Sequence, residues 1–253
     1  MPRFALRLEY DGTPFSGWQR QSVDVSVQAA LEDAVFKFSG EHVTIRGAGR
    51  TDSGVHALGQ VAHFDLVKAF EPHRVREAIN FYLRPHPVAV LACAEVSDDF
   101  DARFSALQRS YLFRLLTRRA PPVLDQNRVW WLPGSLDADA MGKAARVFIG
   151  HHDFTTFRAT QCQSPTPMKT LERFDVTRIG DEIHCTVASR SFLHTQVRSM
   201  VGSLKHVGEG KWTRDDLADA LAARDRKACG VVAPATGLYH VEVIYPAELQ
   251  PRW

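Results

Sequence analysis

Hydrophobic and polar side chains alternate between residues 4 and 10, which predicts a strand with one buried face. Between residues 27 and 38 the apolar spacing changes to three and four, which predicts an amphipathic helix. Ser26 is suited to cap that helix and Gly40 to end it. A second helix that starts at Pro72 and three more strand patterns complete the order βαββαβ. Those strands are expected at 43–46, 60–66 and 88–96.

The second half of the chain repeats this order of elements. A strand is followed by a helix that Asp137 caps, by two strands around a Gly180–Asp181 turn, and by a helix that begins near Thr195. Thr213 and Asp216 predict a capping box for one further helix. The segments are expected at 110–117, 137–149, 174–179, 183–189 and 197–204, with a closing strand at 239–245. We therefore expect an α+β fold of two ferredoxin-like (βαββαβ) halves with a mainly antiparallel sheet.

The composition excludes several classes of protein. With 45% hydrophobic and 24% charged residues among 253, the chain is neither disordered, nor collagen-like, nor a disulfide-stapled miniprotein. Its length suits one large domain or two small ones, and the repeated order of elements favours two, which we expect at residues 1–104 and 105–253. The spacing of the four cysteines matches no zinc or redox motif, so reduced thiols are expected. The N-terminal residues form no apolar signal core and no apolar stretch is long enough to cross a membrane, so we expect a cytoplasmic protein.

The net charge of +2 conceals an uneven distribution of basic residues. Of the 31 basic residues 24 are arginines, whose planar guanidinium suits phosphates and stacks on bases. Residues 103–128 contain six arginines and a single acidic residue, and residues 190–214 contain five basic residues and a single acidic one. This distribution predicts two basic stripes on a nearly neutral molecule.

A glycine-rich loop between two predicted strands, residues 47–56, concentrates polar side chains. It is not a dinucleotide-binding loop, because Asp52 stands where the third glycine is needed, nor a P-loop, because no Lys-Ser/Thr pair follows Gly54. The Gly-x-Ser-x-Gly motif of serine hydrolases is absent, and aspartic proteases need a second Asp-Thr/Ser-Gly motif that the chain lacks. A purely structural turn rich in Asp and Ser remains an alternative.

Asp52 is the candidate for chemistry in this loop. As a carboxylate at neutral pH it suits nucleophilic attack or proton abstraction, and an arginine partner would keep it ionised. If the loop is extended, Arg50 and Asp52 point to the same side and could line one cleft. A carboxylate nucleophile without a metal indicates attack at an electrophilic carbon, such as a sugar C1′ or an activated base carbon.

The segment Arg50–Ala57, with the sequence RTDSGVHA, resembles the signature of the tRNA pseudouridine synthase A (TruA) family, in which the Asp is catalytic. Further motifs with the family's character follow in the family's order. They are Tyr10–Gln19, Ala102–Ala106, Arg109–Tyr111, His152–Phe154, Phe192–Arg198 and Ala233–Tyr239. Ser53 and Ser199 depart mildly from the family's usual Ala and Asn, and neither is among the residues to which the resemblance gives a chemical role.

The resemblance implies an enzyme that isomerises uridine to pseudouridine at positions 38–40 of the tRNA anticodon stem-loop. Asp52 would be the nucleophile, attacking either C1′ of the ribose or C6 of the base, with no cofactor and no metal. Tyr111 would contact the flipped base and Arg198 would pair with Asp52. Arg50 would contact phosphate or occupy the space that the flipped nucleotide leaves. The two halves would form a central cleft, and the enzyme would act as a homodimer away from any membrane.

The sequence is also compatible with two other functions. One is a non-catalytic RNA-binding protein, although the aromatic signature of RNA-recognition modules is absent. The other is a pseudouridine synthase that acts on another RNA, such as ribosomal RNA. A metal site at His151, His152 and Asp153 is disfavoured because no further ligand stands at a useful spacing. His56 is expected to support the loop through hydrogen bonds rather than to act as an acid or base.

Overall fold

The computed structural model describes all 253 residues and contains ten strands and five α-helices. In chain order they are β1 (Arg3–Tyr10), α1 (Val27–Ser39), β2 (Arg46–Gly47), β3 (His56–Asp65), α2 (Pro72–Leu83), β4 (Val88–Val96), β5 (Gln108–Leu116), β6 (Trp130–Trp131), α3 (Ala138–Ala145), β7 (Gly150–Asp153), β8 (Met168–Ile179), β9 (Glu182–Ser189), α4 (Gln196–Gly208), α5 (Arg214–Ala223) and β10 (Leu238–Ile244). The α+β fold with mainly antiparallel strand pairing is therefore confirmed.

The chain forms two compact units, one of Met1–Arg109 with Tyr239–Trp253 and the other of Ser110–Leu238. Residues 239–253, expected in the C-terminal half, therefore belong to the first unit. The reason is strand pairing: β10 runs parallel to β3, with Tyr239 opposite His56.

In the first unit the strand order is β4-β1-β3-β10, and β2 pairs with β3. One face of this sheet packs against α1 and α2, whose buried side chains include Leu31, Val35, Val75 and Ile79. The other face is covered by the chain segment 100–106, by Tyr245 and by Ala48 of the glycine-rich loop; together with Ala5, Val61 and Val243 they form a second small core.

The expectation that β1 has one buried face holds only for its second half. Phe4, Ala5 and Leu6 are all buried, whereas Arg7 and Glu9 are exposed. Ala5 is buried because the segment 100–106 covers this end of the second sheet face.

The predicted helix signals are confirmed at several ends. The Ser26 hydroxyl accepts a hydrogen bond from Ala29 N at 3.2 Å, and Gly40 ends α1 with a φ of 76°. Asp137 accepts from Ala140 N at 2.8 Å, and Thr213 and Asp216 form the capping box. These local sequence signals succeed because a cap depends on only a few neighbouring residues.

In the second unit the strand order is β5-β9-β8-β7, and β6 pairs with β5. Gly180, with a φ of 59°, stands in the two-residue turn of the predicted β8–β9 hairpin, where Ile179 pairs with Glu182. Below the sheet, Phe148 packs edge-on against Phe157 at 5.0 Å and stacks on Phe174 at 5.8 Å. These rings join the 3₁₀ turn after α3 and the β8 strand of the hairpin in one core.

Several predicted elements differ from the structure. Residues 43–45 lie outside the strand expected at 43–46, and β3 begins at His56 rather than at residue 60. The helix expected at 137–149 ends at Ala145 and continues as a 3₁₀ turn, Arg146–Phe148. The strand β7 was not predicted, because its sequence Gly-His-His-Asp has no hydrophobic alternation.

The helices and the cysteines bear on the expectations about membranes and disulfide bonds. No helix is both long enough and apolar enough to cross a membrane. All four cysteines are free thiols; Cys185 alone is fully buried, and burial raises its pKa to about 12.

Candidate active site

Asp52 lies in the loop between β2 and β3, at the first position of a tight turn. Val55 N donates to Asp52 O at 3.1 Å, and Gly54 has a φ of 77°. A positive φ at the third position of a turn favours glycine, because other side chains clash there. The Asp52 side chain is half-buried and that of Arg50, two residues earlier, is exposed.

The chain segment Tyr10–Trp18 forms a support beneath this turn. Trp18 N donates to Thr51 O at 3.0 Å, and Ser53 Oγ donates to Phe15 O at 3.2 Å. The hydroxyls of Tyr10 and Thr51 share a buried hydrogen bond of 2.8 Å. Burial raises the pKa of Tyr10 to about 12, so its hydroxyl stays neutral and serves as a hydrogen-bonding group.

Two glycines allow this support to approach the loop closely. A Cβ on Gly12 would lie 2.0 Å from the Val55 carbonyl oxygen, and one on Gly17 would lie 2.8 Å from that of Thr51. Gly17 also has a φ of 109°, which other residues rarely adopt. The Tyr10–Gln19 motif therefore places two backbones in direct contact on either side of the turn.

His56 supports the same turn from its C-terminal end. Its Nδ1 accepts a hydrogen bond from Gly12 N at 3.1 Å, and its ring stacks on Tyr239 with centroids 4.8 Å apart. The same Nδ1 lies 3.2 Å from Asp11 Oδ1, so the segment Tyr10–Trp18 contacts this ring nitrogen twice. These contacts agree with a structural role for His56 in supporting the loop, rather than a role as an acid or base.

A buried arginine holds the N-terminal end of the loop. Arg109 is 7% exposed, and its Nε and Nη2 donate to Ala48 O at 3.1 and 2.8 Å. The same guanidinium donates to the carbonyls of Arg103 and Ala106. Gln60 Nε2 donates to Gly49 O at 2.8 Å. The loop is thus fixed at both ends, and Asp52 stands between them.

Tyr111 belongs to β5 of the second unit. Its side chain is buried to 8% exposure, and its ring meets the Phe192 ring edge-on, with centroids 5.1 Å apart and planes at 84°. This geometry is a favourable aromatic contact, and it fixes the orientation of the tyrosine ring.

Arg198 lies in the first turn of α4, also in the second unit. Its Nε donates to Ala233 O at 2.8 Å, and Ala233 N donates back to Arg198 O at 3.1 Å. Thr195, three residues earlier, has a φ of 61°, a conformation that costs a β-branched residue about 1–3 kcal/mol. Such strain is typical of functional segments, and here it immediately precedes the helix turn that carries Arg198.

The structure therefore places Arg50 and Asp52 on one loop of the first unit, and Tyr111 and Arg198 in the second unit. Gly12, Gly17 and Arg109 were not predicted as determinants of the site. The two glycines within a motif were the available signal for a close backbone approach, whereas no local pattern distinguishes a buried strand arginine.

The candidate metal ligands on β7 are engaged in other contacts. His151 Nδ1 lies 2.9 Å from Thr170 Oγ1, His152 Nε2 lies 2.9 Å from Ile149 O, and Asp153 accepts from Thr155 N at 2.9 Å. No group of three or more His, Cys, Asp or Glu side chains in the chain could hold a metal ion.

Comparison with known proteins identifies the class of this site. The family model described as tRNA pseudouridine synthase matches residues 8–105 and 144–246, a range that includes the Asp52 loop and Arg198. The chain is accordingly an isomerase of the pseudouridine synthase class.

The relatives define the family more narrowly. Proteins named tRNA pseudouridine synthase A are 58% identical over 249 residues in Azorhizobium caulinodans and 58% identical over 248 residues in Mesorhizobium japonicum. The alignments cover 98% and 97% of this chain, and 96% and 100% of those proteins. The chain belongs to the tRNA pseudouridine synthase A (TruA) family. A solved structure, the crystal structure of a Cbf5-Nop10-Gar1 complex, aligns at a TM-score of 0.40 and 9% identity, over 95% of this chain and 48% of that chain.

Proposed function

We propose that the enzyme converts uridine to pseudouridine at positions 38–40 of the tRNA anticodon stem-loop, with Asp52 as nucleophile and without a cofactor. The observation that carries this proposal is the position of Asp52. Its half-buried carboxylate stands at the first position of a turn that hydrogen bonds fix from both sides. A preorganised carboxylate of this kind suits nucleophilic attack on a carbon.

Two chemical routes account for every bond that forms and breaks in this reaction. In one, the Asp52 carboxylate attacks C1′ of the ribose, and the bond from C1′ to N1 of uracil breaks. In the other, the carboxylate adds to C6 of uracil before that bond breaks. In both, the base turns, C5 bonds to C1′, the bond to Asp52 is released, the hydrogen on C5 leaves as a proton and N1 takes up a proton. Neither route consumes an oxidant, a reductant or an external group donor.

Tyr111 and Arg198, both in the second unit, are proposed to complete the site. The target uridine must leave the base stack before its carbon atoms can be reached, and an oriented tyrosine ring offers a surface for the flipped base. Arg198 would hold the Asp52 carboxylate ionised and oriented. Its own anchorage on the Ala233 carbonyl supports such a fixed position.

Arg50 is proposed to contact the RNA backbone. It is exposed and stands two residues from Asp52 on the same loop. A guanidinium in that position suits a phosphate of the target strand or the space from which the uridine has flipped.

Ribosomal RNA is the alternative substrate, and a single experiment separates the two. Pseudouridine is mapped in total RNA from a strain that lacks the protein and from the same strain carrying the gene again. We expect pseudouridine at tRNA positions 38–40 to disappear and to return, with ribosomal RNA unchanged. Loss of ribosomal pseudouridine with intact tRNA positions would contradict the proposal.

We also propose that the enzyme is a homodimer and works in the cytoplasm, where tRNA is matured. Sedimentation at equilibrium is expected to give twice the 28.4 kDa mass of one chain. The mass of a single chain at micromolar concentration would contradict the dimer.

A further inference from the structure

One exposed aromatic ring takes no part in the proposed reaction. Phe104 is 74% exposed, and the Arg103 guanidinium carbon lies 5.5 Å from the centre of its ring. Both residues belong to the Ala102–Ala106 motif, whose two alanines are buried in the second core.

The turn that carries this ring is rigidly built. Asp101 Oδ1 accepts hydrogen bonds from Arg103 N at 2.8 Å and from Phe104 N at 2.9 Å. Ser105 N donates to Asp101 O at 3.0 Å, and Asp101 N donates to Ser105 Oγ at 3.0 Å. The exposed ring is therefore held by a closed hydrogen-bonded turn rather than by a loose loop.

The residues on either side of the ring are anchored in the second core of the first unit. Ala102 and Ala106 are buried, and the Tyr245 hydroxyl donates to Ala102 O at 2.7 Å. Ala102 N donates to His63 Nδ1 at 3.0 Å; burial lowers the pKa of His63, which favours the neutral imidazole that this bond requires. The sequence thus directs two alanines inward and one phenylalanine outward.

This turn is also connected to the Asp52 loop. The buried Arg109 guanidinium donates both to Ala48 O of the loop and to the carbonyls of Arg103 and Ala106. The turn and the start of the loop therefore lie on the same face of the first sheet, opposite α1 and α2.

A second exposed arginine borders the same turn. Arg46 Nη1 lies 3.9 Å from Asp101 Oδ2, and the Arg46 side chain is 67% exposed. Arg46 and Arg103 therefore place two guanidinium groups beside the single carboxylate of Asp101.

We propose that a surface of three exposed side chains binds the RNA substrate beside the Asp52 loop. It consists of Arg46, Arg103 and Phe104, and we call it the Arg103–Phe104 surface. Phe104 would stack on an unpaired base of the RNA, and the two arginines would contact phosphates. A planar ring beside guanidinium groups is the combination by which proteins bind single-stranded RNA, because every base offers a π-face and every nucleotide a phosphate. The proposal rests on the proposed function, since it takes an anticodon stem-loop as the ligand.

The first test measures the affinity of the whole protein for unmodified tRNA at fixed salt. Phe104→Ala is expected to weaken binding about 5- to 100-fold, the usual effect of losing one stacked base, and Phe104→Trp to retain it. The matched control is Phe81→Ala on α2, a 64% exposed phenylalanine on the helix-covered face of the same unit. Its affinity is expected to equal that of the unaltered protein.

The second test separates stacking from charge. Arg103→Gln is expected to make the dependence of log affinity on log salt less steep, reducing the magnitude of the slope by about one, because one phosphate contact is lost. Phe104→Ala is expected to leave that slope unchanged. Melting temperatures of all variants show whether each one folds; Phe104 is exposed, so its removal should leave the melting temperature unchanged.

Three results would overturn the proposal. Phe104→Ala binding tRNA as tightly as the unaltered protein excludes stacking, and so does full affinity of Phe104→Leu, which keeps apolar bulk without a ring. If a variant of this surface no longer forms the dimer but binds tRNA with unchanged affinity, the surface is a contact between two copies of the chain and not an RNA-binding site. Failure of the proposed function is a different result: the unaltered protein would then release no hydrogen from uridine C5, whatever Phe104→Ala does to binding.

Discussion

Asp52 takes its position from hydrogen bonds that its two neighbours in the chain make. Thr51, on one side of it, is held by Tyr10 and Trp18, and Ser53, on the other side, is held by Phe15. Catalysis by a single carboxylate depends on such fixation, since a displacement of about 1 Å can cost about 100-fold in rate. Single-residue predictions therefore concern the groups proposed to meet Asp52.

Tyr111 is predicted to act through its ring. Tyr111→Ala should slow single-turnover conversion at saturating tRNA by at least about 10-fold, because it would remove the proposed surface for the flipped base. Tyr111→Phe keeps the ring and its contact with Phe192, so it should retain most of the rate. A Phe variant as slow as the Ala variant would instead assign the hydroxyl a part in proton transfer.

Arg198 is predicted to act through its charge. Arg198→Met should lower the single-turnover rate by about 100-fold at saturating tRNA, because the proposed pairing with the Asp52 carboxylate would be lost. Arg198→Lys should recover part of that loss. The control is Arg146→Met, an exposed arginine of the 3₁₀ turn after α3, which should keep its full rate. An unchanged rate in Arg198→Met would exclude the pairing with Asp52.

At the scale of elements, the turn at Asp52 and the segment Tyr10–Trp18 form one structural pair. Gly12 and Gly17 bring the two backbones together, and His56 and Tyr239 close the pair from β3 and β10. The stability of the loop is therefore coupled to a segment more than thirty residues earlier in the chain.

Gly12→Ala is predicted to disturb this pair. The new methyl group would lie 2.0 Å from the Val55 carbonyl oxygen, so the backbones must separate. We expect the free energy of unfolding to fall by about 1–3 kcal/mol or more, and the rate at saturating tRNA to fall as well. Gly134→Ala is the control, because nothing lies within 4 Å of its added methyl group. Equal urea midpoints for the two variants would contradict the coupling.

The elements that sequence predicts well are those whose signals are local. Ser26, Asp137 and Thr213 cap helices as expected, because each cap involves residues within three positions. The strand β7 and the parallel pairing of β10 with β3 were not predicted, because long-range pairing has no local pattern. For the same reason, the motifs indicate Asp52, Tyr111 and Arg198 individually, whereas the support by Arg109 is a contact across 61 residues that no local pattern predicts.

At the scale of the whole molecule, a net charge of +2 gives little indication of an RNA partner. The basic residues concentrate in residues 103–128 and 190–214, the segments that also contain Tyr111 and Arg198. Many of them have acidic partners: Arg114, for example, pairs with Glu182 and Asp125, and Lys205 pairs with Glu209. The arginines available to phosphate are accordingly fewer than the sequence suggests.

Affinity for tRNA is predicted to depend strongly on salt. If a few of the exposed arginines contact phosphates, affinity should fall at least about 10-fold between 50 and 200 mM monovalent salt. Titrations at four salt concentrations give the slope of log affinity against log salt. A slope near zero would show that the local concentration of arginines does not serve RNA binding.

The central claim is that Asp52 performs nucleophilic chemistry on a tRNA uridine, and hydrogen release from C5 tests it most directly. Unmodified tRNA carrying tritium at uridine C5 is incubated with the unaltered protein and with Asp52→Asn, and the affinity of both for the same tRNA is measured. We predict tritium release by the unaltered protein, and no release by Asp52→Asn despite retained tRNA binding. Release by Asp52→Asn at the normal rate would contradict the account.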